Sequence, residues 1–128
     1  AFERELTSVV DRLRRRGIHV LLLGQIPTYE RLPLRCLAQA IDERRDVATC
    51  GIRRDAAETV VGTSNSVLSR ITQAAGPQVS LFLPIDPMCP ETHCPPIIDG
   101  VMMYKDGTHL NRFGAELLGR HLPPPTRN

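Results

Sequence analysis

An aspartate and a histidine stand three residues apart in "YKDGTHLN", residues 104–111. At this spacing the carboxylate of Asp106 can accept the Nδ1 proton of His109 and leave Nε2 facing a cleft as a general base. Gly107 lets the chain bend so that both side chains point the same way. A histidine held like this serves a hydroxyl or thiol nucleophile. No such group is offered upstream: there is no Gly-Asp-Ser and no Gly-x-Ser-x-Gly elbow. Ser64, Ser66 and Ser69 of "GTSNSVLS" fall inside a helical pattern, where Asn65 reads as a helix-surface residue. The competing reading of the turn is structural, an aspartate opening a turn and a histidine at a helix entrance.

The cysteines are four, spaced as Cys36–Cys50 and Cys89–Cys94. Prolines and a short loop in "MCPETHCPP" favour a local bridge between Cys89 and Cys94. In the chain-entropy account that bridge stabilises by about 2 kcal/mol, and a Cys36–Cys50 bridge by about 3 kcal/mol. The competing reading is a zinc site built from Cys89, Cys94, His93 and His109. It has only one loose cysteine pair, where structural zinc wants two or a Cys/His set at fixed spacing. Disulfides are the preferred reading, and they place the domain in an oxidising compartment.

A chain of 128 residues, 41% hydrophobic and 23% charged, fits one domain with a real core. Aromatic residues make up 4% and tryptophan is absent, which argues against stacking platforms for bases. The basic run "DRLRRRG" fans Arg12, Arg14, Arg15 and Arg16 around the solvent side of a last helical turn, where cations favour the dipole. No nucleic-acid motif accompanies it, so no nucleic-acid partner is expected. No apolar run reaches 18 residues, so no membrane insertion by this chain is expected. No signal peptide is visible, and Ala1 stands inside a helical pattern, so the start reads as cut from a longer polypeptide.

The elements that must carry the turn follow from periodicity. Phe2, Leu6, Val9, Val10 and Leu13 recur at helical spacing up to Gly17, a C-terminal cap. "IHVLLLGQIP" is an unbroken apolar run, expected as a strand covered on both faces. A less regular excursion follows, with a short helix at Leu34 to Ile41 that Cys36 and Cys50 could staple. Asp55-x-x-Glu58 predicts a capping box. The helix after it would use Ala56, Ala57, Val60, Val61, Ser64, Val67, Leu68, Ile71, Ala74 and Ala75 as its inner face, with Gly62 a candidate break. "VSLFLP" is the next strand, and "PPIIDGVMMYKDG" reads as a hairpin turning on Asp99-Gly100. Asn111 caps a last helix that buries Phe113, Leu117, Leu118 and Leu122. This order predicts an α/β three-layer sandwich with a mainly parallel sheet, whose active site lies at the carboxyl ends of the strands.

The run "MCPETHCPPIIDGVMMYKDGTHLNRFGAELL", residues 88–118, resembles the end of SGNH-type hydrolase-like domains fused to membrane acyltransferases of the type 3 family. "FERELTSVVDRLRRRGIHVLLLGQIP" is similar to the helix and strand that precede it there. The resemblance implies an SGNH/flavodoxin-like fold and makes Asp106 and His109 the orienting acid and general base of a Ser-His-Asp triad. It implies a periplasmic or otherwise extracytoplasmic domain in a membrane-anchored protein that transfers acyl groups, commonly acetyl, to cell-envelope glycans. The implied partners are an acyl donor, a glycan acceptor and a membrane acyltransferase domain, and no cofactor is implied. In such domains the serine lies on the first strand, ahead of the residues matched here. Residues 1–122 are therefore expected to be the C-terminal part of one domain, incomplete at its N-terminal side, with 123–128 a tail or linker stub. The missing N-terminal part would supply the nucleophile, and this chain alone would be inactive. Asn111 departs from the serine usual at that position, mildly, since both residues cap helices. The alternatives are a carbohydrate esterase and a non-catalytic glycan-binding or scaffolding domain that kept the fold. For the non-catalytic alternative His109 should be packed or turned away from Asp106, and the full-length parent should lack a serine on the first strand.

Overall fold

A computed structural model describes residues 1–124, so the expected tail at 123–128 lies outside the described residues from 125 onward. The elements run α1 (Phe2–Arg14), β1 (Val20–Leu23), α2 (Leu34–Asp42), a 3-10 turn (Val47–Cys50), β2 (Ile52–Arg53), α3 (Arg54–Ala75), β3 (Val79–Phe82), α4 (Ile85–Met88), β4 (His93–Cys94), β5 (Ile97–Ile98), β6 (Val101–Met102) and α5 (Arg112–Gly119). The architecture is mixed α/β around a short parallel sheet. β1 and β3 pair in parallel with Val20 opposite Val79 and Leu23 opposite Phe82. Helices α1 and α3 pack on this pair, and Val10, Leu22, Leu68, Ile71, Ala75 and Val79 form one core between them.

Gly17 ends α1 as expected, with φ at 73°. The Ile18 amide reaches back to the Leu13 carbonyl and the Gly17 amide to that of Arg14, the paired bonds of a Schellman ending. This sharp stop sends the chain directly into β1.

Strand β1 departs from the expectation of cover on both faces. Leu22 points into the core, while its neighbours Leu21 and Leu23 are 41% and 56% exposed. Successive side chains of a strand face opposite ways, so an all-apolar run on a sheet covered by α1 and α3 on one side leaves every second leucine bare. A groove of about 660 Å³ lies along this second face, between Leu21 and Ser80 and the residues Leu122, Pro123 and Pro124 beyond α5.

Other corrections are local. Helix α3 begins at Arg54, one residue before Asp55, so Asp55 sits in the first turn instead of capping it. The Asp55 carboxylate takes the Arg53 guanidinium, and Glu58 pairs with Arg54 across one turn, so no capping box forms. Gly62 does not break the helix, which runs unbroken through 22 residues. Its inner face holds Ala57, Val61, Asn65, Leu68, Ile71 and Ala75. Val60 faces solvent, and Asn65 is buried at 8% exposure rather than on the surface. Helix α5 buries Leu118, but Phe113 is 63% exposed and Leu122 39%. Helix α1 likewise buries Val10 and leaves Phe2 and Val9 exposed.

Both disulfides form as the spacing suggested. Cys36–Cys50 ties α2 to the 3-10 turn, and Cys89–Cys94 closes the loop from α4 to β4. The hairpin β5–β6 turns on Asp99 and Gly100, both at positive φ. That is the backbone of a two-residue turn whose twist suits antiparallel strands.

Candidate active site

The turn at 104–110 is framed before any functional side chain is placed. Tyr104 and Leu110 form an antiparallel bridge, and the Lys105 amide donates to the His109 carbonyl at 2.9 Å. Asn111 then opens α5: its Oδ1 accepts the Gly114 amide at 2.8 Å, the N-cap expected of it. Its amide NH2 also donates to the Met102 carbonyl at 2.7 Å. Asparagine makes the two bonds with two different atoms, where a serine would have to make both through one shorter-reaching hydroxyl oxygen. Asparagine here therefore ties the helix to β6 as well as starting it. Gly114 lies against the Met103 carbonyl with no room for a Cβ, which explains the glycine after Phe113.

Within this frame Asp106 and His109 are brought together. His109 Nδ1 lies 3.0 Å from both carboxylate oxygens of Asp106. The same carboxylate accepts the Thr108 amide at 2.8 Å and the His109 amide at 2.9 Å. The Thr108 amide above all, with the His109 ring and amide and the Thr108 hydroxyl, holds the Asp106 carboxyl down at about 2. At neutral pH it is ionised and can only accept hydrogen bonds. The proton between the two side chains therefore sits on Nδ1, and the lone pair of the imidazole is on Nε2. The ring is 73% exposed, and among the described residues none bonds to Nε2. Chemically this is an oriented base open to a partner.

Thr108 was not singled out from the sequence. Its hydroxyl lies 3.2 Å from Asp106 Oδ1 and 3.1 Å from His109 Nδ1, a third member of the cluster. Its place inside the motif was the available signal. Tyr29 and Tyr104 also bear on the turn. Tyr104 Oη donates to the Pro27 carbonyl at 2.7 Å, and the Tyr29 amide donates to the Gly107 carbonyl at 2.7 Å. Gly107 rests on the Tyr29 carbonyl so closely that a Cβ would collide with it. The glycine is thus required by close approach to the segment after β1. Both phenols are pushed well above their ordinary range by burial, so both act as neutral donors.

The serines of α3 stay apart from this site. Ser64 donates to the Val61 carbonyl one turn back, and Ser66 and Ser69 line a groove of about 430 Å³ beside Asn65 that includes neither Asp106 nor His109. The zinc alternative fails on chemistry, because Cys89 and Cys94 are bonded to each other. His93 Nδ1 instead meets the Thr92 hydroxyl at 3.0 Å. Among the described residues no three of His, Cys, Asp and Glu are grouped to hold a metal ion.

A mixed α/β domain that hangs an Asp-x-x-His pair between a disulfide-closed loop and a closing helix defines a recognisable class. The family model "SGNH domain (fused to AT3 domains)" matches residues 1–124, and the chain belongs to this family. Comparison with curated proteins and with solved structures gives no match.

Proposed function

We propose that this domain serves acyl transfer, with His109 as general base and Asp106 as the acid that orients it, acting on a serine hydroxyl supplied by polypeptide outside these residues. The observation that carries the reading is the pair itself: Nδ1 at 3.0 Å from both oxygens of an ionised Asp106, with Nε2 on an exposed ring edge. The family's fusion to AT3 domains supports an acyltransferase-associated role in a membrane-anchored protein, and the two disulfides fit an extracytoplasmic setting. The acyl group is proposed to be acetyl and the acceptor a cell-envelope glycan. In the transfer step Nε2 takes the serine proton as the serine oxygen bonds to the acyl carbon, and returns it to the departing group. The acceptor hydroxyl then repeats the exchange on the acyl-serine.

The open face and edge of β1 suit the completion of a three-layer sandwich by a preceding strand and helix of the same domain. Covering Leu21 and Leu23 would stabilise through apolar burial and bring the hydroxyl to the carboxyl edge of the sheet. The formed Asp106–His109 pair favours this reading over a scaffold without catalysis.

The experiment is hydrolysis of p-nitrophenyl acetate. This chain alone is expected at background. The domain completed by its preceding segment is expected to turn over, and His109→Ala to lower the rate by about 10²- to 10⁴-fold. Turnover by this chain alone that depends on His109, or a completed domain indifferent to His109→Ala, would contradict the reading.

A further inference from the structure

Tyr29 stands at a junction that the acyl-transfer reading does not use. It is buried at 4% exposure in the cluster that also holds Tyr104, Cys89, Cys94 and Met103. Three of its groups reach two separate segments, the Cys94 loop and the 104–110 turn. Its hydroxyl donates to the Cys94 carbonyl, its amide donates to the Gly107 carbonyl at 2.7 Å, and its ring meets Tyr104 edge-on with centroids 4.9 Å apart at 84°. Its own carbonyl is the surface on which Gly107 rests.

These contacts divide into two ends. The main-chain end grips the middle of the Asp106–His109 turn. The hydroxyl end is held by Cys94, which the bridge to Cys89 and the pairing of β4 with β2 fix in place. Gly51 of the segment leading into β2 also packs against the Cys94 carbonyl with no space for a Cβ. Asp106 and His109 are themselves on the surface, so little packing around their side chains holds them. Their arrangement depends on the backbone of the turn, and that backbone is anchored from below.

We propose that Tyr29 is a positioning residue for the Asp106–His109 pair, transmitting the fixed place of the Cys94 carbonyl to the Gly107 peptide and so to the turn that aims the imidazole. The proposal rests on the reading of that pair as the working base, and adds the residue that sets its geometry. Tyr29's hydrogen bonds go to the Cys94 and Gly107 carbonyls and not to the side chains of the pair.

The test is Tyr29→Phe, which keeps the ring and its edge contact and removes only the hydroxyl. The readouts are the titration midpoint of the Asp106 carboxyl by carbon NMR and the His109 tautomer by nitrogen NMR, both without substrate. The midpoint is expected to rise from about 2 towards the ordinary aspartate value as the turn's amide bonds loosen. The Nδ1-protonated fraction of His109 is expected to fall. Met88→Leu, a conservative change in the same cluster, is expected to move neither readout. A folded Tyr29→Phe protein with midpoint and tautomer unchanged overturns the proposal. So does a Met88→Leu protein that shifts them equally, or a Tyr29→Phe protein that fails to fold, since each would make Tyr29 a general core residue. Because no acyl transfer is measured, this test can fail while His109 remains essential in the ester assay, and the reverse.

Discussion

The two disulfides are chemically alike and sit in different company. Cys36–Cys50 spans 14 residues and closes its own small core of Leu37 and Ala40, with Val47, Ile97 and Met102 against it. Cys89–Cys94 spans only 5 residues, yet both of its cysteines are fully buried among the tyrosines beneath the Asp106–His109 turn. Loop length favours the first as a stabiliser, because a longer closed loop removes more freedom from the unfolded chain. Neighbours favour the second as a frame for the site, because the Cys94 carbonyl receives Tyr29, and Tyr29 holds Gly107. Stability and site geometry should therefore rank the two bridges in opposite order.

The largest effect expected is on stability. Cys36→Ala with Cys50→Ala should cost about 3 kcal/mol in denaturant unfolding, and Cys89→Ala with Cys94→Ala about 2 kcal/mol. The turn should respond the other way. The first double variant leaves the Asp106 carboxyl midpoint at about 2, and the second raises it. Two double variants that disturb the turn equally would erase the distinction between the bridges.

A smaller effect sharpens the comparison without any substitution. The folded Asp106 carboxyl lies at about 2 against an ordinary 3.8, so the unfolded chain takes up this proton first as pH falls. Its contribution to stability is fully present above the ordinary value and disappears as pH drops through the folded one. A carbon-detected titration should then show Asp106 still ionised and paired at about pH 3, below the ordinary aspartate midpoint. A midpoint near 3.8 would mean that the turn does not hold the carboxylate as described.

Much of this was legible in the sequence wherever the cause is local. The Asp99-Gly100 hairpin, the Gly17 ending, the Asn111 cap and the two short-range bridges each depend on residues close in the chain, and each formed. The Asp106–His109 pair belongs with them only in its spacing: the glycine between them takes no left-handed bend and is instead required by the distant Tyr29 carbonyl. What failed depended on neighbours that periodicity does not name. An unbroken leucine run looks the same whether one face of its strand is covered or two, so the exposure of Leu21 and Leu23 could not be read from it. Asp55 lost its capping role because the helix starts one residue earlier and Arg53 takes its carboxylate, while Arg54 takes Glu58. Asn65 is polar and was assigned to the surface, yet it faces Gly24, whose missing Cβ leaves space for the amide oxygen. Tyr29 is separated from Gly107 by most of the chain, and nothing in its own surroundings announces the contact.

The role assigned to His109 depends on which of its nitrogens carries the proton, and nitrogen-resolved NMR of the imidazole in the folded protein at neutral pH measures it directly. The Nδ1-protonated tautomer should dominate, and Asp106→Asn should weaken that preference by removing the charge that selects it. An imidazole protonated on Nε2, indifferent to Asp106→Asn, would contradict the account, since the base would then present no lone pair to a serine.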